Sequence, residues 1–298
     1  MKNNSKKFKI VDVLLLIIVV LPFVVGMVLE VLFAPVTEGV QVTGAQIYFT
    51  IPMPVQDLPV TESQVNSLLV MISITALCLY LTHGIRKGVK TKRALIAEWM
   101  VEKLDGLIGE NMGSKYFSGF APFIGAVMAL SAFSSLSSLV GFFPPTADIN
   151  IVAGWAILVF GLITYYKFKC GPIVYMRSFG EPVKLLAPIN IISEVATPVS
   201  MAFRHYGNVL SGTVISVLLT SAFTGLTGML LGWLPGFLAD IPFLRIGIPA
   251  VLSLYFDVFS GCLQAFIFAM LTMMYVGGAF DLETYKQKKA QKSAKNKQ

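Results

Sequence analysis

LLAPINIISEVATPVSMAFRHYGNVLSGTVISVLLTSAFTGLTGMLLGWLPGFLA, residues 185–239, carries two formal charges, Glu194 and Arg204. A run this long and this poor in charge belongs in hydrocarbon, where about 20 helical residues cross a core of ~30 Å. Lipid offers no water to bond exposed peptide groups, so a segment without period-2 alternation spans as a helix. An arginine at that depth costs at least ~2.5–3.5 kcal/mol on insertion scales and faces a polar cavity or a charged partner. Arg204 is therefore the first functional candidate.

The rest of the chain repeats the pattern. It is 55% hydrophobic and 13% charged, with a mean hydropathy of +0.75, against roughly 25% charged in a soluble domain. Spans are expected at 11–33, 65–85, 117–143, 151–166, within 188–233, and at 246–279. The last two are over-long; the fifth is either steeply tilted or broken near Gly225, Gly228 and Gly232. The fold class is an all-α integral membrane protein with about six transmembrane helices, the last two long and tilted. It forms one domain, 1–298, with an anchor helix in 1–35, a core in 94–278 and a basic tail at 286–298. Residues 34–62, rich in Val, Thr and Pro, can pair as short strands.

A net charge of +7 looks like a nucleic-acid signal until it is mapped. Of 23 Lys and Arg, all but Arg204 and Arg245 fall within 1–9, 86–115, 167–184 and 286–297, while 34–64 and 144–150 hold none. Alternating basic and base-free connections follow the positive-inside rule for six crossings with both termini cytoplasmic. The expected partner of this charge is the bilayer and not nucleic acid. Cys78, Cys170 and Cys262 lack metal-ligand spacing and read as packing residues; no metal or cofactor is expected. Between the second and third spans, Ile96, Trp99, Met100, Leu104, Leu107 and Ile108 lie opposite Glu98, Glu102 and Asp105, an amphipathic helix suited to the membrane interface.

Within the fifth segment Glu194, Thr197, Ser200, Arg204, Asn208 and Ser211 recur at steps of three and four, one polar stripe on a helix face. In the sixth, Asp257, Ser260 and Gln264 do the same. Two striped helices in a bundle define a hydrated path. Asp257 and Glu194 are its acids, able to pass a proton or attract a cation, and Arg204 is a permanent charge opposing continuous passage. The bland readings stand beside these. Arg204 and Asp257 can pair as interhelical glue, Asn208 and Gln264 can be ordinary interhelical hydrogen bonds, and Glu194 can sit in water at the helix end. His205, on another face, is a packing candidate; Ser200, Ser211 and Thr213 are common helix-packing residues.

Pro188-Ile189-Asn190, Glu194, and then Pro198-Val199-Ser200-Met201-Ala202-Phe203-Arg204-His205-Tyr206-Gly207-Asn208 resemble the signature of the a subunit of F-type ATP synthases. Leu263-Gln264-Ala265-Phe266-Ile267-Phe268 with Leu271-Thr272-Met273-Met274-Tyr275 is similar to that family's last helix, and Pro144-Pro145-Thr146-Ala147-Asp148-Ile149-Asn150 to the loop before its third core helix. The likeness covers roughly 94–278. It implies a non-catalytic stator subunit beside a rotating ring of c subunits and b-type peripheral stalk subunits, in a bacterial plasma membrane. Two offset half-channels would carry H⁺ or Na⁺ to and from ring carboxylates. Arg204 matches the arginine that separates the half-channels, Asn208 the asparagine one turn on, Gln264 the glutamine neighbouring that arginine, and Asp257 a histidine or acid lining the outer half-channel. This chain departs from the pattern at Thr213, where some members have a glutamate, and at His205, which replaces a leucine. Two other classes of function fit the stripe alone: a stand-alone secondary transporter or channel, and a membrane scaffold with no transport role.

Overall fold

The computed structural model describes residues 2–33, 44–54, 56–85, 91–113, 119–180, 184–231, 251–252, 254–281 and 285–286. Its helices are α1 (Lys2–Phe33), α2 (Glu62–Thr82), α3 (Lys92–Met112), α4 (Ala121–Leu136), α5 (Ile149–Cys170), the short α6 (Pro172–Ser178), α7 (Ala187–Leu231) and α8 (Gly261–Gly278). A π-helical stretch, Leu254–Ser260, leads into α8. Six helical segments among the described residues are long and apolar enough to cross a membrane: Ile10–Leu29, Glu62–Thr82, Ala121–Val140, Ile149–Cys170, Ala187–Thr227 and Leu254–Gly278. In the first of these only 11% of the apolar window is buried by protein, so hydrocarbon must solvate the rest.

The boundaries differ from the sequence expectation in instructive ways. α5 runs on to Cys170, with Lys167 and Lys169 in its last turn, where cations complement the helix dipole. Its start is capped by Asp148, whose Oδ1 accepts from Asn150 N at 2.9 Å. α7 continues unbroken through Gly225 and Gly228 for 45 residues; Gly232 and the expected start of the last span at 246 lie outside the described residues, as does the basic tail from 287. The strands expected in 34–62 are β1 (Ile47–Ile51) and β2 (Leu58–Thr61), an antiparallel pair with a register shift between Ile47 and Phe49.

The chain divides into two compact units, 1–97 with 129–151 and 206–265, and 98–128 with 152–205 and 266–298. Helices in lipid gain little from hydrophobicity and associate through close packing, small residues and interhelical hydrogen bonds. In the first unit Phe23 stacks on Phe142 with centroids 5.9 Å apart, and a Cβ on Gly26 would stand 2.8 Å from that Phe142 ring. Ser73 donates to the Val19 carbonyl at 3.0 Å and Asn66 to the Phe143 carbonyl at 3.0 Å. Asp12 accepts from Arg93 at 2.6 Å and contacts His83 Nδ1 at 2.7 Å, tying α1 to the end of α2 and the start of α3.

The second unit has its own core, in which Ile124, Val159, Phe268, Ala269, Met273 and Val276 are almost wholly buried. Gly277 lets α8 approach α3: a Cβ there would lie 3.2 Å from the Met112 backbone. α3 puts Ile108 and Met112 into this core and leaves Leu95, Ile96, Trp99 and Met100 exposed.

Candidate functional site

α7 is rotated so that Pro198, Met201, Ala202 and His205 point inward while Val199, Ser200, Phe203 and Arg204 point out. His205 sets this rotation. Its ring is 0% exposed, edge-on to Trp155 at 5.9 Å and to Phe268 at 5.7 Å, with Val152, Ala156 and Ala202 forming a small apolar cluster in the same unit. With position 205 inside the packing, position 204 falls on the free flank of the helix. Among the described residues the ionic contacts are Asp12–His83, Asp12–Arg93 and Lys167–Glu194; Arg204 is in none of them. The guanidinium is presented to whatever lies beside the protein.

The first unit contains a small polar chamber lined by Ser135, Ser138, Pro144, Asn208, Val209, Gly212, Phe256 and Asp257, with a volume of ≈ 10 Å³. It brings together Asn208 and Asp257, two residues that the sequence singled out, and Ser260 bonds to the first of them. Ser260 Oγ donates to Asn208 Oδ1 at 2.9 Å, and Asn208 Nδ2 reaches back to the Ser260 carbonyl at 3.5 Å. Asp257 sits in the π-helical stretch, a backbone form common at functional sites. The Ser138 hydroxyl lies within hydrogen-bond reach of its carboxylate. Two glycines set the wall positions. A Cβ on Gly261 would stand 2.5 Å from Ser135 Cβ, and one on Gly212 3.2 Å from the Phe256 ring. Gln264 is buried, at 6% exposure, while Thr213 is exposed and donates to the Val209 carbonyl one turn back on its own helix.

A second, larger chamber lies in the other unit, with a volume of ≈ 400 Å³, and Glu194, Lys167, Ser178, Asn190, Ser193 and Thr197 supply its polar lining. Glu194 Oε1 accepts from Lys167 Nζ and from the Tyr175 hydroxyl, each at 2.8 Å. Burial, and then the bond to Glu194, push the Tyr175 phenol up to about 12. Asn190 Nδ2 donates to the Phe179 carbonyl at 2.8 Å, closing the α6 turn onto the start of α7.

The lining residues Ser135, Ser138 and Lys167, and Tyr175, which bonds to Glu194, escaped the sequence reading. Ser135 and Ser138 belong to a hydroxyl-rich run, Ser131-Ala132-Phe133-Ser134-Ser135-Leu136-Ser137-Ser138, that interrupts an apolar span and was a visible signal. Lys167 registered only as a topology charge, and Tyr175 as nothing at all. No three His, Cys, Asp or Glu side chains converge on a metal site among the described residues.

A membrane protein with six helical candidate spans among its described residues and two polar chambers fits the class of ion-translocating subunits. Comparison with known proteins is specific. The family described as ATP synthase A chain matches residues 65–277. The chain is 30% identical over 276 residues to the sodium ion specific ATP synthase subunit a of Propionigenium modestum, covering 80% of this chain and 86% of the relative. It is 31% identical over 234 residues to subunit a of Bacillus pumilus, covering 74% and 93%, and 33% identical over 196 residues to that of Desulforamulus reducens, covering 65% and 69%.

This chain belongs to the ATP synthase subunit a family. It is a multi-pass bacterial membrane protein, an ion-translocating stator subunit that is not itself catalytic.

Proposed function

We propose that the two chambers are the two half-paths of a rotary motor and that Arg204 keeps them apart. The observation that carries this reading is the exposed guanidinium of Arg204 on a helix long and apolar enough to span, in no ion pair among the described residues. It stands ten residues after Glu194, in the larger chamber, and four before Asn208, in the smaller one. The chamber of Asp257 and Asn208 is the outer half-path, assisted by Ser260, and the chamber of Glu194 is the inner one, near the basic end of α5. Each ring subunit brings a carboxylate that takes up H⁺ or Na⁺ at the outer path, travels with it, and gives it up at the inner path.

The polar stripe of α7 then faces the ring, with Ile192, Val199 and Phe203 flanking Ser200 and Arg204. Arginine suits the task because its charge persists when it leaves water. A ring carboxylate opposite Arg204 is held ionised and empty, and no cation crosses directly. A direct leak would dissipate ~2.3 kcal/mol per charge per 100 mV; separated half-paths route that energy through rotation. Gln264 is a buried amide of α8, His205 has a packing role between Trp155 and Phe268, and the Thr213 hydroxyl returns to its own helix. The peripheral stalk is the stationary partner. Both termini are cytoplasmic, and α3, with exposed Ile96, Trp99 and Met100, lies at the cytoplasmic interface.

The test is ATP-driven ion uptake into inverted membrane vesicles, with Arg204→Ala compared with the native chain at equal amounts of assembled complex. Loss of pumping with assembly intact is expected. Full pumping by the variant would reduce Arg204 to a structural residue and leave the subunit a scaffold at this position.

A further inference from the structure

Ser138 and Pro144, which both line the small chamber beside Asp257, stand at the two ends of a tight reversal. A 3₁₀ turn, Ser137–Val140, stops at Gly141, whose φ of 96° suits glycine and few other residues. Phe142 and Phe143 then lead to the buried Pro144. The gap between Ser138 and Pro144 therefore depends on where the peptide groups of Phe143 sit.

Those groups are gripped from α2. Asn66 Nδ2 donates to the Phe143 carbonyl at 3.0 Å, and the Glu62 carboxylate accepts from the Phe143 amide. Glu62 and Asn66 are one helical turn apart, so a single face of α2 takes both polar groups of one residue. Glu62 is 5% exposed and Asn66 3%. Glu62 Oε2 also accepts from Gln46 N at 3.4 Å, and Glu62 N donates to the Gln46 carbonyl at 2.8 Å, which seats the grip against the start of the hairpin. Beyond Pro144, Ser63 donates to Asp148, the residue that caps α5. Before it, Phe142 stacks on Phe23 of α1.

Neither Glu62 nor Asn66 is among the chamber's described lining residues. An acid on an ion's route must exchange partners at every passage, whereas Glu62 is committed to backbone amides. We infer that Glu62 and Asn66 are positioning residues of the outer half-path: they fix the Phe143 peptide groups and, through them, the place of Pro144 in the chamber wall. The inference rests on the half-path reading of that chamber and adds what sets its width. A buried polar group that loses its partner is costly, so removing either bond shifts the reversal. A chamber of ≈ 10 Å³, room for about one water, has no slack to absorb the shift.

Inverted vesicles carrying the assembled complex separate the two sides. ATP synthesis driven by an imposed gradient loads ions from the lumen through the outer half-path, and ATP-driven uptake loads them from the medium through the inner one. Both rates are followed against the concentration of the loaded ion, with H⁺ and Na⁺ each used as the probe. Glu62→Met and Asn66→Leu keep bulk and remove the bonds. Each should raise the half-saturating lumenal concentration about tenfold, and leave the half-saturating concentration in the medium unchanged. Glu62→Gln, which keeps an acceptor for the Phe143 amide and loses the charge, should stay close to native. Equal losses on both sides, or no shift on either, would make the grip purely architectural, and the inference falls. It falls as well if Glu62→Gln is as impaired as Glu62→Met, because the charge would then be what matters. Asp257→Asn is the control. Native synthesis and native lumenal dependence in that variant overturn the half-path reading, and the inference with it. Synthesis lost there, with native lumenal dependence in Glu62→Met and Asn66→Leu, overturns the inference alone. Should Glu62→Met fail to assemble, Asn66→Leu and Glu62→Gln decide.

Discussion

The two chambers are built on opposite principles. The one beside Asp257 is ≈ 10 Å³, walled by glycine contacts, and its acid meets hydroxyl and amide groups. The one beside Glu194 is ≈ 400 Å³, and its acid is already held by an ammonium and a phenol. The first admits about one water-sized body and the second many. Sensitivity to small geometric changes therefore belongs to the first chamber, and tolerance to the second.

The largest expected effect that separates them is at Asp257. Replacing it with Asn removes the carboxylate that lines the small chamber among the described residues, and ATP-driven uptake should fall on the order of 10²-fold, the lower range for loss of a group that carries a proton or its equivalent. Uptake within twofold of native at matched assembly would erase the distinction between the chambers. Next is Gly261→Ala. The new Cβ meets Ser135 Cβ at 2.5 Å, and overpacking of this kind costs about 1–3 kcal/mol. Thermal unfolding of the solubilised complex should drop by several degrees, and uptake should weaken with it. An unchanged melting temperature would show that the chamber wall gives way freely.

The smallest effect belongs to the wide chamber. Tyr175 has its phenol raised from 10.0 to about 12, by burial first and then by Glu194. The native state thus holds a proton that the unfolded chain loses near pH 10. The associated stability is fully present below that pH and disappears as pH rises through about 12. Tyr175→Phe should remove that alkaline slope from the unfolding curve while leaving pumping near neutral pH little changed. A steep loss of pumping in this variant would make the second chamber as exacting as the first.

Much of the molecule was legible before any coordinates. The six candidate spans, the β hairpin, α3 and the depth of Arg204 in an apolar segment follow from composition and period. Asn208, Asp257 and Ser260 were singled out from their stripes; the first two line one chamber, and Ser260 bonds to Asn208. The rest was not legible for definite reasons. Thr213 lies on the same helix as Asn208 but turns its hydroxyl onto its own backbone. Lys167 looked like one of many topology charges, and only the fold of α5 against α7 places its ammonium on Glu194. Ser135 and Ser138 were visible as hydroxyls in an apolar run, yet nothing local links them to Asp257, more than a hundred residues on.

The sequence by itself determined that this chain lives in the bilayer, how many times it can cross, and that a permanent charge at position 204 demands a reason. These are properties of single residues and their solvent: transfer cost, helix length, loop charge. Tertiary structure alone decided which polar groups share a chamber, how large each chamber is, and that Arg204 points away from the protein. Those outcomes depend on helix rotation and on close contacts such as His205 between Trp155 and Phe268, or Gly261 against Ser135. They are pairwise quantities, fixed by packing across distant parts of the chain and absent from any local pattern.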